Sequence, residues 1–182
     1  MRESKPKSDT KKRFYLSDID ENLLGENNAP LIFIGINPST ADKDSDDSTT
    51  KRISGITKEQ GKCGWIIVNI CPLRYTCPRD LKDKYNSIYD NENLEVIKSI
   101  FNNNTKANII CAWGNSIEMR SEFINILKQI EQNIPESMKN KIFYLTDELT
   151  KKEHPKHPLV CAKKSLLTNF NLKTYIDNFY KK

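Results

Sequence analysis

Residues 31–36, Leu-Ile-Phe-Ile-Gly-Ile, are apolar without interruption. A run this short and unalternated predicts a strand buried on both faces, as in the centre of a sheet covered by helices on each side. Gly35 lets another group approach the backbone closely, and Pro38 ends the strand because it has no N–H for the ladder. The chain then turns polar, with Asn37, Ser39 and Thr40 followed by Asp42, Asp44, Asp46 and Asp47. In open α/β sheets ligands bind beyond the carboxyl ends of the strands. A strand that ends in a carboxamide and two hydroxyls therefore marks a candidate site. The same residues also suit an ordinary Asx or proline turn, and this stretch alone does not separate the two readings.

The remainder of the chain repeats the theme. Residues 1–12 are charged and polar with no apolar spacing, which predicts a disordered basic tail. Residues 13–19 suit an edge strand. A helix capped by Ser48 or Thr49 is predicted to run to about residue 60 and stop at Gly61. Residues 65–70 form a second apolar run closed by Pro72, and 71–90 form a long connection of the kind that is functional or mobile in compact domains. Leu94, Ile97 and Phe101 lie on one face of a helix that starts near Asn91. Residues 107–113 and 141–145 are two further apolar strands. Between them a helix capped by Asn115 or Ser116 runs to Ile130, and a last helix carries Leu172, Tyr175, Ile176 and Phe179. Strand and helix alternate, so residues 13–182 are predicted to form one α/β domain. The expected architecture is a three-layer sandwich with a mostly parallel four-stranded central sheet and room for one extra edge strand.

Charge and cysteine usage narrow the function classes. The net charge of +5 is concentrated in a basic head (Lys5, Lys7, Lys11, Lys12, Arg13) and a basic tail (Lys163, Lys164, Lys173, Lys181, Lys182). This fits a polyanionic partner and equally fits a solvated face. The five cysteines show no zinc-knuckle or redox spacing. With no signal-peptide core and no run of membrane length, they read as reduced thiols in a cytoplasmic protein. The acidic loop starts like a calcium hand but has Asp47 where glycine is needed and Ile53 where glutamate is needed. A loose magnesium site at Asp42, Asp46 or Asp47 stays open, but no metal or cofactor is assigned. Walker, Rossmann and nucleophile-elbow motifs are absent from the sequence. Cys–His chemistry through Cys161 or Cys71 beside His157 is disfavoured because buried thiols are poor nucleophiles.

Four strands end in polar signatures: Gly35–Asp42, Val68-Asn69, Trp113-Gly114 and His154-Pro-Lys-His-Pro158. Parallel strands would place all four along one sheet edge. Both histidines of the chain fall in the last one.

The series Asn37-Pro-Ser-Thr-Ala-Asp42, Asp46-Asp47, Thr49, Arg52, Val68-Asn69, Pro72-Leu-Arg74, Pro78, Ala112-Trp-Gly114, Leu145-Thr146 and His154-Pro-Lys-His-Pro-Leu159 resembles a bacterial and phage family, domain-of-unknown-function family 1643. The resemblance covers about residues 13 to 160. It departs at Ser48, where the pattern has proline, and in the added basic helix expected from Lys163 on. The order of the four strand ends is also similar to that of the uracil-DNA glycosylase superfamily. Gly35–Pro38 matches its Gly-Ile-Asn-Pro turn, Asn69 its second strand end, and 154–158 its late His-Pro loop. The third residue of that superfamily's His-Pro-Ser signature is Lys156 or Leu159 here. That resemblance implies hydrolysis of an N-glycosidic bond, with a nucleic acid or a nucleotide as partner. Asn37 would position a water, His154 or His157 would donate to the leaving base, and Asn69 would read a pyrimidine edge. Gly35, Pro38, Ser39, Thr40, Asp42, Arg74, Trp113 and Gly114 would complete the binding surface. A non-catalytic nucleic-acid or nucleotide-binding module is the competing reading. Both expect Asn37, Asn69 and one histidine to share a cleft floored by Trp113-Gly114, with the aspartates on its rim near Arg52 or Arg74.

Overall fold

The computed structural model describes residues 2–6, 9, 11–25, 28–38, 45–74 and 89–180. Among these, seven strands make one mixed sheet in the order β1-β2-β4-β3-β5-β6-β7. They are β1 (Arg2–Lys5), β2 (Tyr15–Ile19), β3 (Leu31–Gly35), β4 (Gly64–Asn69), β5 (Asn108–Cys111), β6 (Ile142–Leu145) and β7 (Leu167–Asn169). The four expected strands are the centre of this sheet: β4, β3, β5 and β6 pair in parallel. The sheet is wider than the four strands expected, because antiparallel strands extend both sides, β2 and β1 beyond β4, and β7 beyond β6. The amino end therefore differs from the disordered tail expected for 1–12, since Arg2–Lys5 pairs with 15–18 and forms the edge in place of β2. Arg2 is held there by Asp46 at 2.8 Å and by the face of Trp65.

Side-chain alternation along β3 sorts the two layers. Leu31 and Phe33 face α1 (Ser48–Glu59), packing with Ile53, Ile56, Trp65, Ile67, Ile110 and Leu145. Ile32 and Ile34 face the opposite layer of α2 (Asp90–Asn103), α3 (Ser121–Gln132) and α4 (Leu172–Phe179), which bury Ile97, Phe101, Phe123, Leu127, Leu172 and Ile176. Apolar residues on both faces of β3 explain its uninterrupted run.

Helix boundaries follow local chemistry. Asp47, one residue before the expected Ser48, caps α1. Its side chain accepts from Thr50 N at 2.8 Å, and the Thr50 hydroxyl accepts from Asp47 N. The single helix expected from Asn115 is broken in two, a 3₁₀ turn at Gly114–Met119 and then α3, with Arg120 extended between them. The basic segment from Lys163, read as helix, instead forms a turn, β7 and then α4. The connection at 75–88 lies outside the described residues.

Candidate functional site

The register of β3 on β4 sets Gly35 directly beside Asn69. Both lie on the α1 face, as do Asn37 and Ala112 by the two-residue period that carries Leu31, Phe33, Ile67 and Ile110. A β-carbon on Gly35 would fall 2.8 Å from Asn69 Oδ1, so the missing side chain is what lets the carboxamide lie over the neighbouring strand. Asn69 is only 2 % exposed, and its Nδ2 has no hydrogen-bond partner among the described residues. Its backbone carbonyl accepts from Asn93 Nδ2 at 2.9 Å, tying the end of β4 to α2.

These strand ends open on a cavity of about 70 Å³ lined by Asn37, Asn69, His157, Arg13 and Thr49 over an apolar floor that includes Phe33. His157 arrives from the far loop. Gly114, at φ +62, donates its N–H to Pro155 O at 2.9 Å, and a β-carbon there would sit 3.4 Å from His157 Cβ. Only a residue at ease with positive φ turns the chain this way so close to the histidine. Leu159 N–H donates to His157 Nδ1 at 3.3 Å. A backbone N–H donates only to an unprotonated ring nitrogen, so the neutral ring carries its proton on Nε2. Burial pushes the His157 pKa down, opposed by the nearby Asp47 carboxylate, which favours that neutral form. Asn37 Nδ2 donates to Pro38 O at 3.1 Å, so an acceptor role toward water falls to Oδ1.

The other histidine lies across the sheet. Trp113 Nε1 donates to Tyr175 Oη at 3.3 Å, Tyr175 Oη meets His154 Nδ1 at 2.8 Å, and His154 Nε2 meets Glu118 Oε1 at 3.0 Å. Lys152 closes the series on Glu118 Oε2. With the tyrosine accepting from tryptophan and donating to Nδ1, His154 Nε2–H donates to the carboxylate. Phe170, Tyr175 and Phe179 surround these groups, and a cavity of about 460 Å³ borders them. The His154 backbone is pinned too: Thr150 N–H donates to His154 O at 2.8 Å and His154 N–H to Thr150 Oγ1 at 3.2 Å. Trp113 therefore belongs to the layer opposite the small cavity, because it alternates with Ala112. Of the Trp113-Gly114 pair expected as floor, Gly114 alone adjoins His157.

Of the aspartates expected on the rim, Asp47 lies near enough to His157 to act on its ring, and the described aspartates and arginines also have structural partners. Asp46 pairs with Arg2 and Asp47 caps α1, while Arg52 Nη1 donates to Cys161 O at 2.9 Å and Arg74 Nη1 to Asp9 O at 3.2 Å. Ser39, Thr40 and Asp42 lie outside the described residues. Among the described residues no three His, Cys, Asp or Glu side chains gather to hold a metal ion, and no helix is long and apolar enough to cross a membrane. Cys161 Sγ donates to the His157 backbone carbonyl at 3.4 Å, and burial raises its pKa, so the thiol is not activated by the ring. Burial likewise pushes Cys71 up to about 12. Arg13 and Thr49 were not singled out for the site from sequence. Arg13 is 2 % exposed, yet nothing in its spacing distinguishes it from Lys11 and Lys12 beside it.

Fold and site together define a mixed α/β protein with a small polar cavity beyond the carboxyl ends of its parallel strands. The chain belongs to the family described as Protein of unknown function (DUF1643), whose model matches residues 13–159. Neither the curated proteins nor the solved structures contain a match to it. The match ends before β7 and α4, so the Tyr175 that bonds His154 comes from outside the matched region.

Proposed function

We propose that this chain is a nucleobase- or nucleotide-directed hydrolase that cleaves an N-glycosidic bond in glycosylase-like fashion. The observation that carries this reading is that Asn37, Asn69 and His157, from three separate segments, line one cavity. Breaking such a bond develops cationic character on the sugar and negative charge on the base, and the site must serve both. Asn37 Oδ1 orients a water toward the sugar carbon. Asn69 Nδ2, buried without a partner among the described residues, donates to the base, and the neutral His157 donates through Nε2–H to a carbonyl oxygen of the departing base, where negative charge develops. His154 takes no part in the chemistry. It anchors the loop that presents His157. In the same reading β4-β3-β5-β6 corresponds to the parallel core of a uracil-DNA glycosylase-like fold, and the four free, buried cysteines among the described residues suit the cytoplasm.

Base release from uracil-, hypoxanthine- and modified-base oligonucleotides, free nucleosides and nucleotides tests the proposal. Release from any of them supports it; no release by folded protein from the whole set overturns it for these substrates. One observation favours a non-catalytic binding module instead: the described lining holds no carboxylate to act as general base. Asn37→Ala and His157→Ala separate the two, because a catalyst loses turnover and keeps most of its affinity, whereas a binder loses affinity alone. Salt reports on the partner. Steep weakening of binding with salt indicates a nucleic-acid polyanion and a flat response a small nucleotide. Part of the basic head is already engaged, since Lys12 pairs with Glu92 at 3.1 Å and lies over the Tyr89 ring.

A further inference from the structure

The turn that carries His157 is bonded to itself. Val160 N–H donates to His157 O at 3.1 Å and Cys161 Sγ to the same carbonyl at 3.4 Å. Leu159 N–H donates to His157 Nδ1 at 3.3 Å, and Cys161 N–H to Pro158 O at 3.0 Å. Such bonds fix the shape of the turn but not its place in the molecule. Among the described residues, the hydrogen bond that reaches this turn from another element comes from α1, where Arg52 Nη1 donates to Cys161 O at 2.9 Å. Cys161 is 3 % exposed and packs in the cluster of Ile53 and Ile56 from the same helix. Thr49 and Ile53 of α1 line the small cavity. One helix therefore both walls the cavity and holds the turn that presents its histidine. Further along, the Lys163 stem crosses α1 at Gly55, and Gln60 Nε2 donates to Ser165 O at 2.9 Å.

We propose that Arg52 is a positioning residue for His157: through Cys161 it sets the turn against α1, and so fixes the place of the imidazole at the cavity wall. The inference rests on the reading of His157 as the cavity's donor and adds what aims it. Arg52 meets no reacting atom and acts only through the turn. A guanidinium suits the task, being always charged, planar and rigid, with a charge-assisted bond to a carbonyl. On the other side the chain is held by Gly114 N–H on Pro155 O, just before His157. With Arg52 removed, the turn keeps its internal bonds and swings about that anchor, which takes the ring out of its buried place.

The ring-nitrogen signals of the two histidines in isotopically labelled protein test this, with His154 across the sheet as internal reference. The starting point is a His157 ring protonated on Nε2 with a lowered titration midpoint. Arg52→Met, which keeps an apolar stem and removes the donors, should move His157 toward mixed tautomers. It should also raise the midpoint toward the ordinary value, about 6.5, and leave His154 unmoved. Gln60→Ala removes a bond of the same length to the same segment. It should lower the unfolding midpoint and leave both rings unmoved. Arg52→Lys should fall between Arg52→Met and the unmodified chain, because one flexible ammonium replaces a planar fork. If Arg52→Met misfolds, Arg52→Lys decides by the same signals. A His157 ring unmoved in the folded Arg52 variant, moved as far by Gln60→Ala, or moved only together with His154 overturns the proposal. Where the unmodified chain turns over, Arg52→Met should lower kcat about 10²-fold with KM little changed, and an unchanged kcat overturns the proposal as well. The ring signals need no substrate, so a chain without turnover refutes hydrolysis and leaves the positioning of His157 standing.

Discussion

The two histidines lie three residues apart in the chain and serve opposite faces of one sheet. Under α4, each polar atom of the Trp113–Tyr175–His154–Glu118 series meets another, and aromatic rings fill the space around them. Under α1, Asn69 Nδ2 is buried with no partner among the described residues, and the His157 ring sits half-buried against a cavity. A closed network stabilises and rigidifies. An incomplete one costs stability unless a ligand completes it, which is why the smaller cavity, and not the larger aromatic one, is the functional candidate. The closed side also steadies the open one, because pinning His154 fixes the loop on which His157 is mounted.

The largest effect expected from breaking this contrast is on turnover. His157→Ala should lower base release by about 10²–10³-fold, about 3–4 kcal/mol of transition-state stabilisation, which is the usual loss for one donor to a developing anion. Its unfolding midpoint in urea should stay close to that of the unmodified chain. A variant that loses stability and retains turnover reverses the assignment of the two histidines.

His154→Ala should do the opposite. It leaves the Tyr175 hydroxyl proton without its acceptor, removes one of the two partners of Glu118 and empties a buried ring site, at a cost of about 2–3 kcal/mol. Equilibrium denaturation checks this directly. Tyr175→Phe, which removes only the hydroxyl, should cost about 1 kcal/mol. If neither change moves the midpoint, the network is not what holds the loop.

Gly35→Ala sharpens the comparison from within the cavity. The new methyl would press on Asn69 Oδ1, and overpacking of this kind costs about 1–2 kcal/mol. The displaced carboxamide should also weaken ligand binding. Gly35→Ala with unaltered binding would show that Asn69 does not touch the ligand.

How much of this was legible in the sequence varies with the physics of each element. Uninterrupted apolar runs announced β3, β4, β5 and β6, because strands covered on both faces are apolar along most of their length, with polar residues such as Asn69 at their ends. The edge strands β1, Arg-Glu-Ser-Lys, and β7, Leu-Thr-Asn, carry almost no apolar signal, since their pairing rests on backbone hydrogen bonds. The two-residue period places Gly35, Asn37, Asn69 and Ala112 on one face only once the register of β3 with β4 and β5 is known. The same period assigns Trp113 to the other face, a consequence easily passed over when Trp-Gly is treated as a unit. No period governs a proline-rich loop, so nothing in His154-Pro-Lys-His157 told the two rings apart. Arg13 was hidden for a different reason. Burial of a charge depends on tertiary surroundings, and in sequence it is one more basic residue.

Acid provides the gentlest test of the two sides, because it reaches them at different pH. Burial lowers the pKa of His157, so below the ordinary imidazole value, about 6.5, the unfolded chain takes up a proton that the folded ring refuses. Stability contributed by His157 is therefore complete above that value and is lost as pH falls toward the folded pKa. Glu118 is lowered as well, first by the hydrogen bond from Lys152 and then by that from His154. Its contribution is complete above the ordinary carboxylate range and disappears only as pH falls through that range, further into acid. Denaturation midpoints measured against pH should thus show a shallow decline beginning near neutrality, followed by a second in the carboxylate range. His157→Gln should flatten the first and leave the second, while Glu118→Gln should reduce the second, to which Asp46 and Glu122 also contribute, and leave the first. If His157→Gln leaves the near-neutral decline in place, the imidazole titrates freely in the folded chain, and a neutral His157 donor at the cavity is lost with it.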